Sequence, residues 1–299
     1  MKPKVDVVVV TFNRLNKLKT ALKCYESQTE PFRNLILVNN CSTDGTSEYI
    51  NEWEKTITPF NKVIINSDEN LGGSGGFYLG QCKAVELDAD WVYVADDDAY
   101  PSQTMVEKFY DFINSNNTDN ISAICAAVYD MKGAICVEHR DRWTLRQGKY
   151  YHRYHVSENE YDKKSFPIDL LSYVGSFLNA NALKKVGLVN PEFFIFYDDS
   201  EHSFRLKKVG EMLCVPDIVV KHDYTVGKTA YWKYYYLIRN LRYMMMKHMP
   251  FGVVVRSLVS FLIKGAKNIS SDQEYKRLYV KATWDAILGK MGKNKIYHP

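Results

Sequence analysis

Three consecutive aspartates, Asp96-Asp97-Asp98, follow directly on the apolar run Trp91–Ala95. Asp96 and Asp98 are two apart, so on extended backbone their side chains point the same way. Two carboxylates aimed together from the end of a strand suit a hard divalent cation, Mg²⁺ or Mn²⁺. Such a cation neutralises charge on a departing diphosphate. A solvated acidic turn is the plainer alternative. The position after a fully apolar strand favours the cation site.

Three further groupings could carry chemistry. The stretch Asn70-Leu71-Gly72-Gly73-Ser74-Gly75-Gly76-Phe77 holds four glycines in five residues, which permits close backbone approach and unusual dihedrals. No Gly-Lys-Ser/Thr follows, so it is not a Walker A loop, and it follows the third predicted strand rather than the first, unlike a dinucleotide fingerprint. It reads either as a ligand cradle or as a flexible surface loop. The adjacent acids Asp198-Asp199 come after the aromatic run Phe194-Ile195-Phe196-Tyr197. Aromatic surroundings desolvate a carboxylate and raise its basicity, as a general base requires. Asp199 or Ser200 also suits the cap of a helix over Ser200–Lys208. His222 ends the apolar segment Ile218–Lys221 and matters only if the fold brings it to Asp96 and Asp98. The remaining histidines show no ligand-like spacing.

These residues need a scaffold. Val5–Thr11, Leu35–Asn39, Lys62–Asn66 and Trp91–Ala95 read as short buried strands. Helical spacing covers Asn16–Gln28, Ser47–Lys55 and Phe77–Leu87, with the glycines as the loop before the last. Such alternation predicts an α/β fold with a mostly parallel central sheet flanked by helices. Ligands of such sheets bind beyond the carboxyl ends of the strands, where Thr11, Asn39, Asn66 and Asp96 fall. Further on, Ile121–Tyr129, Ala134–Glu138 and Ile218–His222 read as strands, and Asn179–Val186 as a helix. Residues 139–165 read as a long tyrosine-rich excursion, and everything from Tyr231 as helical.

Composition narrows the class. The 299 residues are 46% hydrophobic, enough for a large core. Six cysteines without zinc-ligand spacing read as reduced thiols of a cytoplasmic protein. The longest apolar segment, Phe251–Ile263, has 13 residues and includes Arg256, too short to span a bilayer. Charge is uneven. Residues 228–299 carry 14 Lys and Arg against three acids, a balance of +11; the overall +4 leaves −7 for residues 1–227. The shift places a boundary between residues 227 and 228, separating a catalytic region from a basic, aromatic-rich helical extension. Tyr231–Lys247 mixes aromatic and basic residues. It reads either as a peripheral contact with the inner face of the plasma membrane or as a cap on the catalytic region.

Taken in order, Val8-Val9-Val10-Thr11-Phe12-Asn13-Arg14, Val38 to Thr46, the glycine stretch, the aspartate triplet and Asp198-Asp199 resemble glycosyltransferase family 2. The resemblance spans about residues 5–225 and implies a GT-A fold and an inverting, metal-dependent transferase. It implies that Thr11, Asn13 and Asn39 line the nucleoside pocket. Asp44, Asn70, Gly72 and Gly73 would hold the nucleotide and order the loop. Asp96 and Asp97 would contact the nucleotide sugar, Asp96, Asp98 and His222 the Mn²⁺ or Mg²⁺. Asp199 would be the general base and Asp198 would orient the acceptor. The glycine stretch and triplet resemble those of bacterial galactofuranosyltransferases, which use UDP-galactofuranose, and similar glycine-rich loops occur in related rhamnosyltransferases, for which dTDP-rhamnose would be the donor. The expected partners are a nucleotide-sugar donor and a glycan or lipid-linked glycan acceptor, with no nucleic acid; an oligomer stays open. Two positions depart from the family pattern: Asn39 replaces an acid, and Asp198 replaces a Glu. A sugar-nucleotide nucleotidyltransferase would place its glycine-rich loop after the first strand, where Thr11-Phe12-Asn13-Arg14 stands. A non-catalytic carbohydrate-binding protein would not need Asp96, Asp98 and Asp199 together.

Overall fold

A computed structural model of the chain describes residues 2–224, 229–268 and 273–299, with 261–268 described by backbone alone. Four strands, β1 (Val5–Thr11), β2 (Asn34–Asn39), β3 (Asn61–Asn66) and β4 (Trp91–Asp96), alternate with α1 (Leu15–Glu26), α2 (Thr46–Glu54) and α3 (Gly72–Glu86). They pair in parallel, β2 and β4 flanking β1 and β3 lying outside β2. Every residue of β1 and β2 is buried, which explains their unbroken apolar runs. Thr11, Asn39, Asn66 and Asp96 each end a strand, as expected.

The chain continues through β5 (Ala99–Pro101), α4 (Met105–Ser115), β6 (Ile121–Asp130), β7 (Arg140–Arg146), β8 (Tyr150–His155), β9 (Phe166–Ile168), β10 (Leu170–Leu171), β11 (Ser176–Asn179), α5 (Ala180–Val186), α6 (Asp198–Leu206) and β12 (Glu211–His222). Three helices follow, α7 (Tyr231–His248), α8 (Phe251–Asn268) and α9 (Gln273–Ile287). Among the described residues the main sheet runs β3-β2-β1-β4-β11-β6-β12-β5, with β9 beside β12. β6 and β12 are parallel, whereas β11, β5 and β9 run against their neighbours. The sheet is therefore mostly parallel, and each of its faces is covered by an apolar core.

Several local expectations need correction. The glycines form no loop; they open α3 itself. Gly76 and Gly80 lie against β1 so closely that an added Cβ would stand 2.5 Å from Val10 and 2.2 Å from Val8. Gly72, at φ +72°, would meet the carbonyl oxygen of Phe194 at 2.0 Å. Their smallness thus serves packing between helix, sheet and the 194 loop. Ala134–Glu138 is no strand: Ile135 makes one bridge to Tyr129, and a 3₁₀ turn follows at Val137–His139. Residues 139–165 contain the hairpin β7–β8, which joins β10 in a second sheet. α4 carries no counterpart in the expectations from sequence.

The boundary expected at 227/228 falls in 225–228, outside the described residues. α7 and α9 nevertheless share an apolar cluster with the catalytic region: Phe194 packs with Tyr235, Tyr236, Leu278 and Ala282. Among the described residues no helix is long and apolar enough to cross a membrane. Gly80→Val is expected to lower unfolding free energy by about 1–3 kcal/mol through overpacking against Val8. Gly73→Ala, whose Cβ meets nothing within 4 Å, is expected to cost nothing. Urea titration of both variants decides, and an unperturbed Gly80→Val contradicts this packing account.

Candidate active site

The register of the sheet edge assembles the first part of the site. Asp96 ends β4, and Asp97 and Asp98 form the turn into β5, so the extended geometry expected of the triplet stops at Asp96. β5 pairs antiparallel with the end of β12, setting His222 opposite Ala99. This places His222 Nε2 3.4 Å from Asp98 Oδ1. The other Asp98 oxygen accepts from Arg14 Nη1 at 2.6 Å, with Lys17 Nζ at 3.5 Å. Asp97 accepts from Thr11 Oγ1 at 2.7 Å and from Arg14 at 3.1 Å. Among the described residues nothing donates a hydrogen bond to the Asp96 carboxylate.

Charge crowding sets the protonation of this edge. Burial, and then the neighbouring Asp98, hold Asp96 well above the usual carboxylate range. Burial likewise pushes Asp97 up to about 6, against the pull of Arg14 and Thr11. Burial opposes ionisation of Asp98 too, but His222, Arg14 and Lys17 outweigh it and hold Asp98 below the usual range. His139, unremarked in the sequence, stands behind His222: its Nε2 lies 3.2 Å from His222 Nδ1 and its Nδ1 2.9 Å from Ser172 Oγ. Burial, with Arg140 alongside, holds His139 well below the usual histidine value, so it is neutral. A neutral histidine in that place fixes the ring orientation of its neighbour.

The polar residues at the other strand ends partner one another. Asn39 donates to Ser47 Oγ at 2.9 Å and Asn66 Oδ1 at 3.1 Å, and accepts from the Ser42 amide at 3.1 Å. Asn13, at φ +52°, accepts from the Thr43 amide at 2.7 Å. Asp44 accepts from the Leu15 amide at 3.0 Å and from Thr46 Oγ1 at 2.5 Å, tying the starts of α1 and α2 together. Burial works against its charge, yet these hydrogen bonds keep it below the usual range. Asn40, buried and also unremarked, accepts from the Leu71 amide at 2.9 Å and donates to Gly72 O at 3.0 Å and Asn70 Oδ1 at 3.2 Å. Asn70 in turn accepts from the Gly72 amide at 2.8 Å. These bonds hold the start of α3, and with it Gly72 and Gly73, at the carboxyl edge of the sheet.

Asp198 and Asp199 open α6 after a strained turn. Phe194, Phe196 and Tyr197 all have positive φ, at 66°, 67° and 65°. Each such residue costs on the order of 1–3 kcal/mol and persists only where its surroundings dictate it. Here α7 dictates it. Asn240, fully buried, donates to the carbonyls of Phe193, Ile195 and Phe196 at 2.9, 2.8 and 2.9 Å. Arg239 orients that amide at 2.8 Å and donates to Phe193 O at 3.1 Å. From the other side the Ser74 amide donates to Phe194 O at 3.2 Å. Burial and the adjacent Asp199 push Asp198 up to about 7. Burial also raises Asp199, against the pull of Arg153 from β8. The hairpin read as an excursion therefore supplies a cation to the acid pair. The Ser74 bond to Phe194 and the packing of Gly76 on Val10, the register partner of Asp96, bring both carboxylate groups to one edge of the sheet.

Among the described residues, no three His, Cys, Asp or Glu side chains stand as a closed metal cage. A hard cation that shares its coordination with substrate phosphates needs only one or two protein carboxylates. Asp98 beside His222 fits that demand, and the Arg14 guanidinium on Asp97 and Asp98 marks where positive charge is satisfied.

Residues 6–175 match the family model described as glycosyl transferase family 2, over more than half of the chain. The chain belongs to this family. It is 31% identical over 211 residues to the galactofuranosyltransferase GlfT1 of Mycolicibacterium smegmatis, covering 69% of this chain and 66% of that protein. Just under two thirds of that relative's length is thus spanned. The dTDP-rhamnosyl transferase RfbF of Shigella flexneri is 22% identical over 98% of both chains. In fold, this family 2 chain resembles the crystal structure of GalNAc-T7 with UDP, GalNAc and Mn²⁺, with TM-score 0.64, 13% identity, and 94% of this chain and 54% of that one covered. The GT-A fold expected from the sequence is the one observed.

Asn240→Leu removes the amide that holds three carbonyls. It is expected to lower stability by about 1–3 kcal/mol and to reduce kcat while leaving nucleotide affinity within about threefold. Calorimetry beside initial-rate kinetics checks this; unchanged kcat in a folded variant contradicts the role assigned to α7.

Proposed function

We propose that this chain transfers a glycosyl group from a nucleoside diphosphate sugar to a hydroxyl of a glycan or lipid-linked glycan, with inversion at the anomeric carbon. One observation carries the reading: α3 packs through Gly76 on Val10, the register partner of Asp96, and its Ser74 amide holds the turn before Asp198–Asp199, so two acid groups far apart in sequence are brought to one edge of the sheet. A transferase needs that pairing, a cationic hold on the leaving diphosphate beside a base for the attacking hydroxyl.

Asp199, half-buried and more accessible than Asp198, takes the proton of the acceptor hydroxyl. The acceptor oxygen attacks the anomeric carbon, and the bond from that carbon to the diphosphate oxygen breaks on the opposite face. Asp198 orients acceptor hydroxyls. Thr11, Asn13, Asn39, Asp44 and Asn70 form the rim that receives the nucleoside, and Gly72 and Gly73 bring backbone close to it. Asp98 and His222, with Asp96, would hold Mn²⁺ or Mg²⁺, which supplies neutralising charge to the diphosphate. UDP-galactofuranose is the favoured donor, supported by the likeness to GlfT1 over 69% of the chain. dTDP-rhamnose is the second reading, supported by the end-to-end match to RfbF. Assay against a panel of sugar nucleotides separates the two.

Asp199→Ala is expected to reduce turnover by about 10²–10⁴-fold with donor affinity nearly unchanged. Turnover close to the unsubstituted level removes Asp199 as the base. Asp98→Asn is expected to weaken UDP binding in the presence of Mn²⁺ and to leave binding in EDTA as it was; equal titrations under both conditions contradict the cation site.

The pH profile follows from the same groups. A base with a raised pKa must lose its proton to work, so kcat/KM is expected to rise with pH through a limb that lies above the usual aspartate range. Arg153 lowers Asp199, so Arg153→Gln is expected to move that limb upward. A limb that stays in place contradicts the link.

A further inference from the structure

Much of the aromatic and basic character of Tyr231–Lys247 is turned inward. Tyr235, Tyr236, Arg239 and Arg242 of α7 are all buried. Exposed apolar surface lies instead on α9. Val280, Trp284 and Ile287, with Leu288 in the turn that ends the helix, recur at spacings of three and four, which sets them on one strip. Leu278, Ala282, Asp285 and Ala286 on the opposite side are buried. Trp284 is 58% exposed and Leu288 59%, unusual for residues with ordinary packing opportunities.

Cations rim the strip. Arg277 is exposed one turn before Val280, and Lys290, Lys293 and Lys295 are exposed on the segment that follows the helix. Ile296, 70% exposed, continues the apolar surface among them. The strip lies in the part of the chain that carries a balance of +11, against −7 for residues 1–227. A second copy docking through the same face would set like charges against each other, because a two-fold contact opposes a patch to itself. A bilayer with anionic headgroups meets both features: indole and aliphatic side chains enter the boundary of the acyl region while Lys and Arg remain with the phosphates.

We infer that the strip of Val280, Trp284 and Ile287 on α9 with Leu288 just beyond it, together with the basic segment 290–295, is a docking surface for an anionic lipid bilayer. The same segment touches the active site. The Gly292 amide donates to Glu192 O at 2.6 Å, just before the strained turn, and Lys293 Nζ donates to Asn70 O at 3.2 Å. A protein seated through α9 therefore holds the Asp198–Asp199 edge near the lipid surface, where a lipid-linked acceptor would present its hydroxyl. That consequence rests on the transferase reading; the docking surface rests on exposure and charge alone.

The test is co-sedimentation of the full chain with vesicles of phosphatidylglycerol and phosphatidylcholine, against vesicles of phosphatidylcholine alone, without donor or acceptor. Binding is expected only with phosphatidylglycerol, and weakened by high salt. Trp284→Ser/Leu288→Ser is expected to reduce it by roughly tenfold or more, while Ile57→Ser, which removes an exposed apolar residue of the body, leaves it unchanged. Trp284→Phe is expected to keep binding and lose part of the tryptophan quenching by brominated lipid. UDP titration of each variant confirms an intact fold. No binding to phosphatidylglycerol vesicles, binding indifferent to the double substitution, or a dimer in sedimentation velocity that the double substitution dissolves would each overturn the inference. Vesicle binding by a protein that transfers no sugar would leave it standing and overturn only the proposed reaction.

Discussion

Like charges concentrated in one partly dehydrated place govern this molecule. Asp96, Asp97, Asp98 and Asp198 bear on the carboxyl edge of a single sheet, and burial alone would protonate several of them. Without compensation such a cluster opposes folding. Arg14, Lys17 and His222 supply part of the compensation, all directed at Asp98 and its neighbour. Asp96 receives no hydrogen bond from the described residues, and burial followed by the neighbouring Asp98 holds its pKa high. An edge with surplus carboxylate is suited to a ligand that brings its own positive charge or displaces Arg14 onto a phosphate. Under the proposed function, that ligand is a nucleoside diphosphate sugar with its cation.

The second constraint is mechanical. Three residues in left-handed conformation precede Asp198, and their strain is held by groups distant in sequence. Asn240 and Arg239 clamp the carbonyls from α7, and the opening of α3 presses from the other side with a glycine where nothing larger fits. The residues after α9 close over the same turn through Gly292. α7 and the segment after α9 therefore bear directly on the turn that precedes the acid pair.

What was legible in the sequence was periodic or terminal. β1 to β4 and their helices announce themselves because a doubly covered strand must be continuously apolar, and the polar residues ending them fall where ligands of such sheets bind. His222 could be proposed but not placed. Only the register of β12 on β5 brings it to Asp98, and register is a long-range property. The glycine stretch was misread as a loop because helix propensity counts against four glycines; close packing on Val8 and Val10 and the bonds from Asn40 override it. Arg14 stood within the motif that suggested the family, but no acid lies beside it in the sequence, and only the fold brings it to Asp97 and Asp98. Nothing local pointed to His139, Arg153 or Asn240, each of which reaches the site from a different element.

The most direct test of the account is a crystal of the protein grown with UDP and Mn²⁺, with anomalous diffraction used to locate manganese. The expected map shows one manganese peak bonded to Asp98 and to the diphosphate, with the Arg14 side chain withdrawn from that carboxylate. Ordered UDP with Arg14 still seated on Asp98, and manganese elsewhere or missing, would contradict it.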